Sequence, residues 1–120
     1  MIIRKATTKD KDIVLKWRND LETRNNSFNT KEISTENHEK WFRKKLESKP
    51  TIMFIAEDNE PLAFVRIERD NDQAEIHVNV NPEKRGKGIG KESVRLASQE
   101  EFKHGTKEII AKIKRYRNCH

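Results

Sequence analysis

Cysteine is almost missing from this chain: the single thiol, Cys119, has no partner, so no intrachain disulfide can brace the fold. A metal staple is not expected either, because His38, His77, His104 and His120 have no ligand spacing with one another or with Cys119. Long apolar runs are absent. Nothing approaches the ~20 apolar residues of a membrane span, and the opening MIIRKATTKD lacks the apolar stretch of a secretory leader, so a cytoplasmic protein with no membrane partner is expected. Large aliphatic residues and phenylalanine are scarce, with Leu, Ile, Val and Phe making up 27 of 120 residues. With 38% charged residues and a mean hydropathy of -1.05, the composition lies near that of disordered chains. Yet the apolar residues gather into helical and alternating clusters, which a solvated coil does not need. A single small core under a charged surface is therefore expected over 1–120.

Positive charge is plentiful. Lys and Arg total 26 against 20 Asp and Glu, a formal +6 with a pI near 9.5, which suits an anionic partner. The basic ending Lys112, Lys114, Arg115 and Arg117 makes a nucleic-acid module a remote alternative. Acidic residues interrupt the charge elsewhere and no aromatic-basic stacking pattern appears, so no nucleic acid is expected.

Met1 to Ala6 reads as a strand, and Thr7 with Asp10 as a helix start before Ile13, Val14 and Trp17 at helical spacing. Leu21 to Thr30 has turn chemistry. Ser34 or Thr35 then caps a second helix carrying His38, Trp41, Phe42 and Leu46, which Lys49-Pro50 ends. Thr51–Glu57, Leu62–Glu68 and Ala74–Val80 read as an antiparallel meander, separated by Asp58-Asn59-Glu60-Pro61 and Asp70-Asn71-Asp72. A helix from about Lys91 to Phe102, a His104-Gly105 stop and a last strand Glu108–Ile113 follow. The expected fold is α/β (α+β), ordered β-α-α-β-β-β-α-β: a mixed sheet, mostly antiparallel, with one parallel pair flanking the last helix.

Chemistry concentrates at Val78-Asn79-Val80-Asn81-Pro82-Glu83-Lys84-Arg85-Gly86-Lys87-Gly88-Ile89-Gly90-Lys91. Three glycines between a strand end and a helix start let backbone amides converge where the helix dipole is positive, a cradle for phosphate. Lys84, Arg85, Lys87 and Lys91 add cations suited to a diphosphate. This is neither a Walker A loop, since Glu92 follows Gly90-Lys91, nor a dinucleotide fingerprint, since the spacing is G-x-G-x-G after a meander.

The segment resembles the acetyl-CoA signature of the Gcn5-related N-acetyltransferase superfamily, Q/R-x-x-G-x-G/A, matched by Arg85, Gly88 and Gly90 in the same place, between the fourth strand and the third helix. The resemblance implies acetyl transfer from acetyl-CoA to a small-molecule primary amine, with no metal. It implies that the amides of Arg85, Gly86, Lys87, Gly88, Ile89, Gly90 and Lys91 hold the CoA pyrophosphate, and that the backbone of Val78 and Val80 pairs with the pantetheine arm. Glu75 and His77 project from one face of the strand by alternation and are the candidate bases, Glu75 first by position and His77 for its imidazole. Family members commonly continue past the fifth strand with a helix and two strands that often supply a tyrosine for the departing thiolate. The resemblance thus implies a C-terminally shortened member, in which Asn118 matches a frequent asparagine and Tyr116 lies too early for the acid. A fifth strand bearing Ile109, Ile110 and Ile113 at an open edge would favour a homodimer.

The first forty residues resemble N-acetyltransferases of nucleotide-linked amino sugars of the pseudaminic-acid type, through Trp17-Arg18-Asn19, Arg24, Ser27, Ile33, His38 and Trp41-Phe42. That resemblance implies Arg18, Asn19, Arg24 and His38 as acceptor-binding residues. Peptide N-terminal amines are the alternative acceptor, and CoA binding without turnover the alternative activity. Trp17, Trp41 and Phe42, at helical spacing, also fit a core.

Overall fold

The computed structural model describes residues 1–20 and 32–111. Its strands are β1 (Ile2–Lys5), β2 (Thr51–Glu57), β3 (Pro61–Asp70), β4 (Gln73–Val80) and β5 (Glu108–Ala111), and its α-helices are α1 (Lys11–Arg18), α2 (Thr35–Glu47) and α3 (Ile89–Lys103). The sheet order is β1-β2-β3-β4-β5. The first three pairings are antiparallel and β4–β5 is parallel, since α3 carries the chain back across the sheet before β5. This is the mixed α/β fold expected.

Local chemistry sets the boundaries. The Thr7 amide donates to Asp10 Oδ2 at 2.8 Å and Lys9 N–H to Thr7 Oγ1 at 3.3 Å, but this capped turn is a 3-10 turn, Thr8–Asp10, and the α-helix proper begins at Lys11. Arg4 forks onto the same Asp10 with two 2.9 Å bonds and ties the turn to β1. Ser34 is the α2 cap, its Oγ accepting from Asn37 N–H at 3.1 Å. Asn59 and Asn71 take left-handed φ values of 65° and 59° in the two hairpin turns, a conformation asparagine tolerates better than most L residues. β3 begins at Pro61, a residue ahead of Leu62, and the register slips between Ala56 and Glu57 to receive it, as a first-strand proline allows.

Alternation then gives the sheet two buried faces. Phe54, Val65, Ile67, Ala74 and Ile76 pack under Val94 and Ala97 of α3. Met53, Ile55 and Phe64 face the other way, against Val14 and Trp17 of α1 and Phe42 of α2. Removing such apolar area from water contributes roughly 25 cal/mol per Å², so both helical layers are held chiefly by packing. One polar clamp stands out: Glu101 of α3, 2% exposed, takes two bonds from Arg69 of β3 at 2.6 and 2.8 Å and one from Thr106 Oγ1 at 2.7 Å. At the β5 edge Ile109 packs beneath α3 while Ile110 is 42% exposed; Ile113 lies outside the described residues.

Candidate active site

The loop from β4 to α3 is built by short-range bonds. Asn81 Oδ1 accepts from Glu83 N–H at 3.1 Å, and Lys84 N–H returns to the Asn81 carbonyl at 2.9 Å, closing a 3-10 turn over Pro82–Lys84. Gly86 and Gly88 then take φ values of 83° and 75°, a region that costs other residues ~1–2 kcal/mol. A Cβ on either would meet nothing within 4 Å, whereas a Cβ on Gly90 would lie 3.2 Å from Val80 Cγ2. The glycines therefore have different tasks: Gly86 and Gly88 turn the chain beside open space, and Gly90 lets α3 settle on β4. Gly88 sits at the head of α3 with no side chain capping the first turn, unlike Ser34 at α2. The first amides of α3, from Ile89 onward, are thus left for an anion.

The four cations of the loop divide. Lys84 pairs with Glu60 at 3.1 Å and Arg85 with Asp20 at 2.9 Å, so both tie the loop to its neighbours, whereas the sequence reading has them as cations around the phosphate cradle. Lys87 and Lys91 are exposed. The β4–β5 ladder runs only from Gln73–Glu108 to Ile76–Ala111, while β4 pairs with β3 as far as Val80. Among the described residues, His77 through Val80 thus have no strand on the β5 side, and the side chain of Val78 packs into the α3 core. A cavity of about 390 Å³ opens beside Gly88 and Lys91 and extends over Ile76, Ile109 and Phe102.

On the opposite face of the sheet, Glu75 and His77 stand with Arg66 and Glu68, their cross-strand partners on β3. His77 Nε2 is 2.7 Å from Glu75 Oε1, and this buried ring nitrogen makes no other hydrogen bond among the described residues. Burial, with the nearby Arg66 charge, holds the His77 pKa below the ordinary imidazole value of 6.5, against the pull of Glu75. Lys45 of α2 closes onto Glu68. Two guanidiniums approach the Trp41 ring, with Arg18 Cζ 4.0 Å and Arg66 Cζ 5.3 Å from its centre.

The expected acceptor residues fall into different roles. His38 is 1% exposed: Nε2–H donates to the Lys11 carbonyl at 2.8 Å, which leaves Nδ1 to accept from Arg18 Nη1 at 3.2 Å. It therefore supports Arg18 from within the α1–α2 layer, and burial keeps it neutral by lowering its pKa. Asn19 clamps the backbone of Ile33, giving Nδ2–H to its carbonyl at 2.8 Å and accepting its N–H at 2.7 Å. Arg24 and Ser27 lie outside the described residues. Trp17 and Phe42 are core, as their spacing predicts, but Trp41 is half-buried and stacked. Arg66 was not singled out from sequence. Its signal is the alternation Phe64-x-Arg66-x-Glu68, which puts charge on the same face as a buried phenylalanine.

A family model for the GNAT acetyltransferases matches residues 14–119. The chain belongs to that family. Among solved structures, the acetyltransferase is similar to an N-acetyltransferase from Staphylococcus aureus Mu50, with 22% identity over 92% of this chain and 71% of that one and a TM-score of 0.78. A ribosomal-protein-alanine N-acetyltransferase from Brucella melitensis gives 21% identity over 92% and 73%, with a TM-score of 0.76. An aminoglycoside acetyltransferase in complex with coenzyme A and kanamycin gives 17% over 92% and 72%, with a TM-score of 0.77. At these identities the likeness is one of fold. No curated protein matches the chain. Among the described residues, no helix is long and apolar enough to cross a membrane and no side-chain cluster could hold a metal.

Proposed function

We propose that the acetyltransferase moves the acetyl group of acetyl-CoA to a primary amine, the amino group of a nucleotide-linked amino sugar, presented from the α1/α2 face of β4. One observation carries this reading: β4 runs directly into a glycine turn that opens on a helix start with no side-chain cap, and among the described residues its edge has no β5 partner from His77 onward. The open space beside Gly86 and Gly88, where a Cβ would touch nothing, fits a diphosphate against backbone amides. The edge fits an extended arm added as a strand. Acetyl-CoA supplies an activated acyl group and a thiolate leaving group.

The chain's own part is to position and deprotonate. His77 stands on the α1/α2 face of β4, directly across from Arg66, with its ring against the Glu75 carboxylate at 2.7 Å. The geometry therefore favours His77 as the base, taking the amine proton at Nδ1 while Nε2 stays against the Glu75 carboxylate. The amino-sugar acceptor is supported by the resemblance of residues around Arg18, Asn19 and Trp41, which line this face with cations and an aromatic ring.

Calorimetric titration with acetyl-CoA, followed by thiol release against nucleotide amino sugars, peptides and polyamines, tests both halves. Saturable binding with turnover on the sugars is expected; no binding removes the carrier, and turnover on peptides alone removes the sugar. Gly88→Val should weaken acetyl-CoA binding about tenfold or more, because a branched side chain strains the left-handed turn by ~1–2 kcal/mol and enters the space beside it. Unchanged affinity in a folded variant would place the carrier elsewhere.

A further inference from the structure

We propose that Arg18 and Arg66, set around Trp41, form a seat for an oxyanion carried by the acceptor, so that the amine offered to His77 belongs to a phosphorylated or carboxylated molecule. This rests on the acceptor face proposed above, and adds the chemistry by which that face selects.

The case begins with a missing partner. Among the described residues Arg4 pairs with Asp10 and Glu57, Arg43 with Glu39, Arg69 with Glu101, Arg85 with Asp20 and Arg95 with Glu92. Arg18 has no carboxylate partner among the described residues. Its one side-chain hydrogen bond goes to His38 Nδ1 at 3.2 Å, although a guanidinium carries several donors. The indole at 4.0 Å stabilises the charge by ~0.5–2 kcal/mol and satisfies none of those donors. Burial pushes the Arg18 pKa down to about 10, with Arg66 adding to the effect. Arg66 has Glu68 at 3.5 Å, itself engaged by Lys45, and the more distant charge of Glu75, with no close carboxylate fork of its own among the described residues.

Two partly buried cations that repel each other beside one ring are unfavourable alone, and an oxyanion within reach of both relieves them through charge-assisted bonds. The seat is also held in place. His38 is fixed by the Lys11 carbonyl with Nδ1 turned to Arg18, so the fork does not swing freely. Its location is next to the chemistry, because Arg66 is the direct cross-strand partner of His77, which brings same-face side chains within ~5 Å at Cβ. An acceptor anchored there by an anion would present a neighbouring amine to the imidazole.

Three probes share an amine and a sugar skeleton: glucosamine 6-phosphate, glucosaminate and uncharged-tail glucosamine. Each is titrated into protein saturated with CoA while the arginine Nε–Hε and tryptophan indole resonances are followed. The seat predicts saturable shifts at Arg18, Arg66 and Trp41 with an anionic probe, no matching shifts at Arg43 or Arg95, and none with glucosamine. Whether the phosphate or the carboxylate probe binds identifies the source of the charge. Arg18→Gln and Arg66→Gln should each weaken that binding about tenfold or more, the loss of one charge-assisted contact, with CoA affinity retained as the check on folding. Absence of shifts with both anions, equal shifts at Arg43 and Arg95, or full affinity in both variants overturns the seat. If CoA itself fails to bind, the proposed function falls, and the same titration on the unliganded protein still decides the seat.

Discussion

Replacing His77 with glutamine should lower kcat about 100-fold or more, the usual loss when a positioned general base is removed, with little change in acetyl-CoA affinity. The pH profile identifies the cause. Burial and Arg66 hold the His77 pKa below 6.5, so the ring is neutral at neutral pH, and activity in the native protein should persist until pH falls below that value. The acid limb of kcat/KM should therefore lie lower than for a free imidazole, and it should vanish in His77→Gln. Glu75→Gln provides the second arm. Glu75 raises the His77 pKa, so its neutralisation should move the limb further down while the rate falls less than in His77→Gln. A rate and limb unchanged in His77→Gln, with the large loss in Glu75→Gln, would make Glu75 the base.

Glu101→Ala should cost about 3 kcal/mol of stability, the scale on which breaking a buried ion pair costs a fold. The carboxylate is 2% exposed and receives three bonds, two from Arg69 and one from Thr106. Truncation leaves Arg69, partly exposed, and the Thr106 hydroxyl without that partner, and loosens the end of α3 from β3. Glu101→Gln keeps an acceptor oxygen and should lose less. Arg69 and Thr106 outweigh burial and lower the Glu101 pKa in the fold. A lowered carboxylate pKa adds stability above the unfolded value near 4.5 that disappears as pH falls through the folded value. Urea midpoints measured from pH 7 down to 3 should therefore converge for the native and Gln proteins at the acid end. A constant gap across that range would mean that packing, not charge, supplies the difference.

The meander, the parallel last pair and the glycine turn were legible because each has a local cause: alternation, left-handed asparagines, and glycines at a strand-to-helix junction. Ser34, not Thr35, is the α2 cap. What sequence could not convey is which charged side chains meet across elements. Lys84 and Arg85 read as cations of the cradle, yet their partners, Glu60 and Asp20, come from another hairpin and from the end of α1. His38, read from sequence as an acceptor contact, lies on α2, where the packing of α1 turns its ring inward onto Lys11 and Arg18. Arg66 passed unnoticed because a lone arginine on a strand looks solvated until Trp41 is laid beside it.

The sheet separates two independent linings, one beneath α3 and one beneath α1 and α2. It acts as a bulkhead. Substitutions far apart on opposite sides of such a wall share no contacts, and their energetic effects sum with little cross-talk. Changes in the layer around Trp41 can consequently accumulate while the glycine turn at the head of α3 keeps its shape.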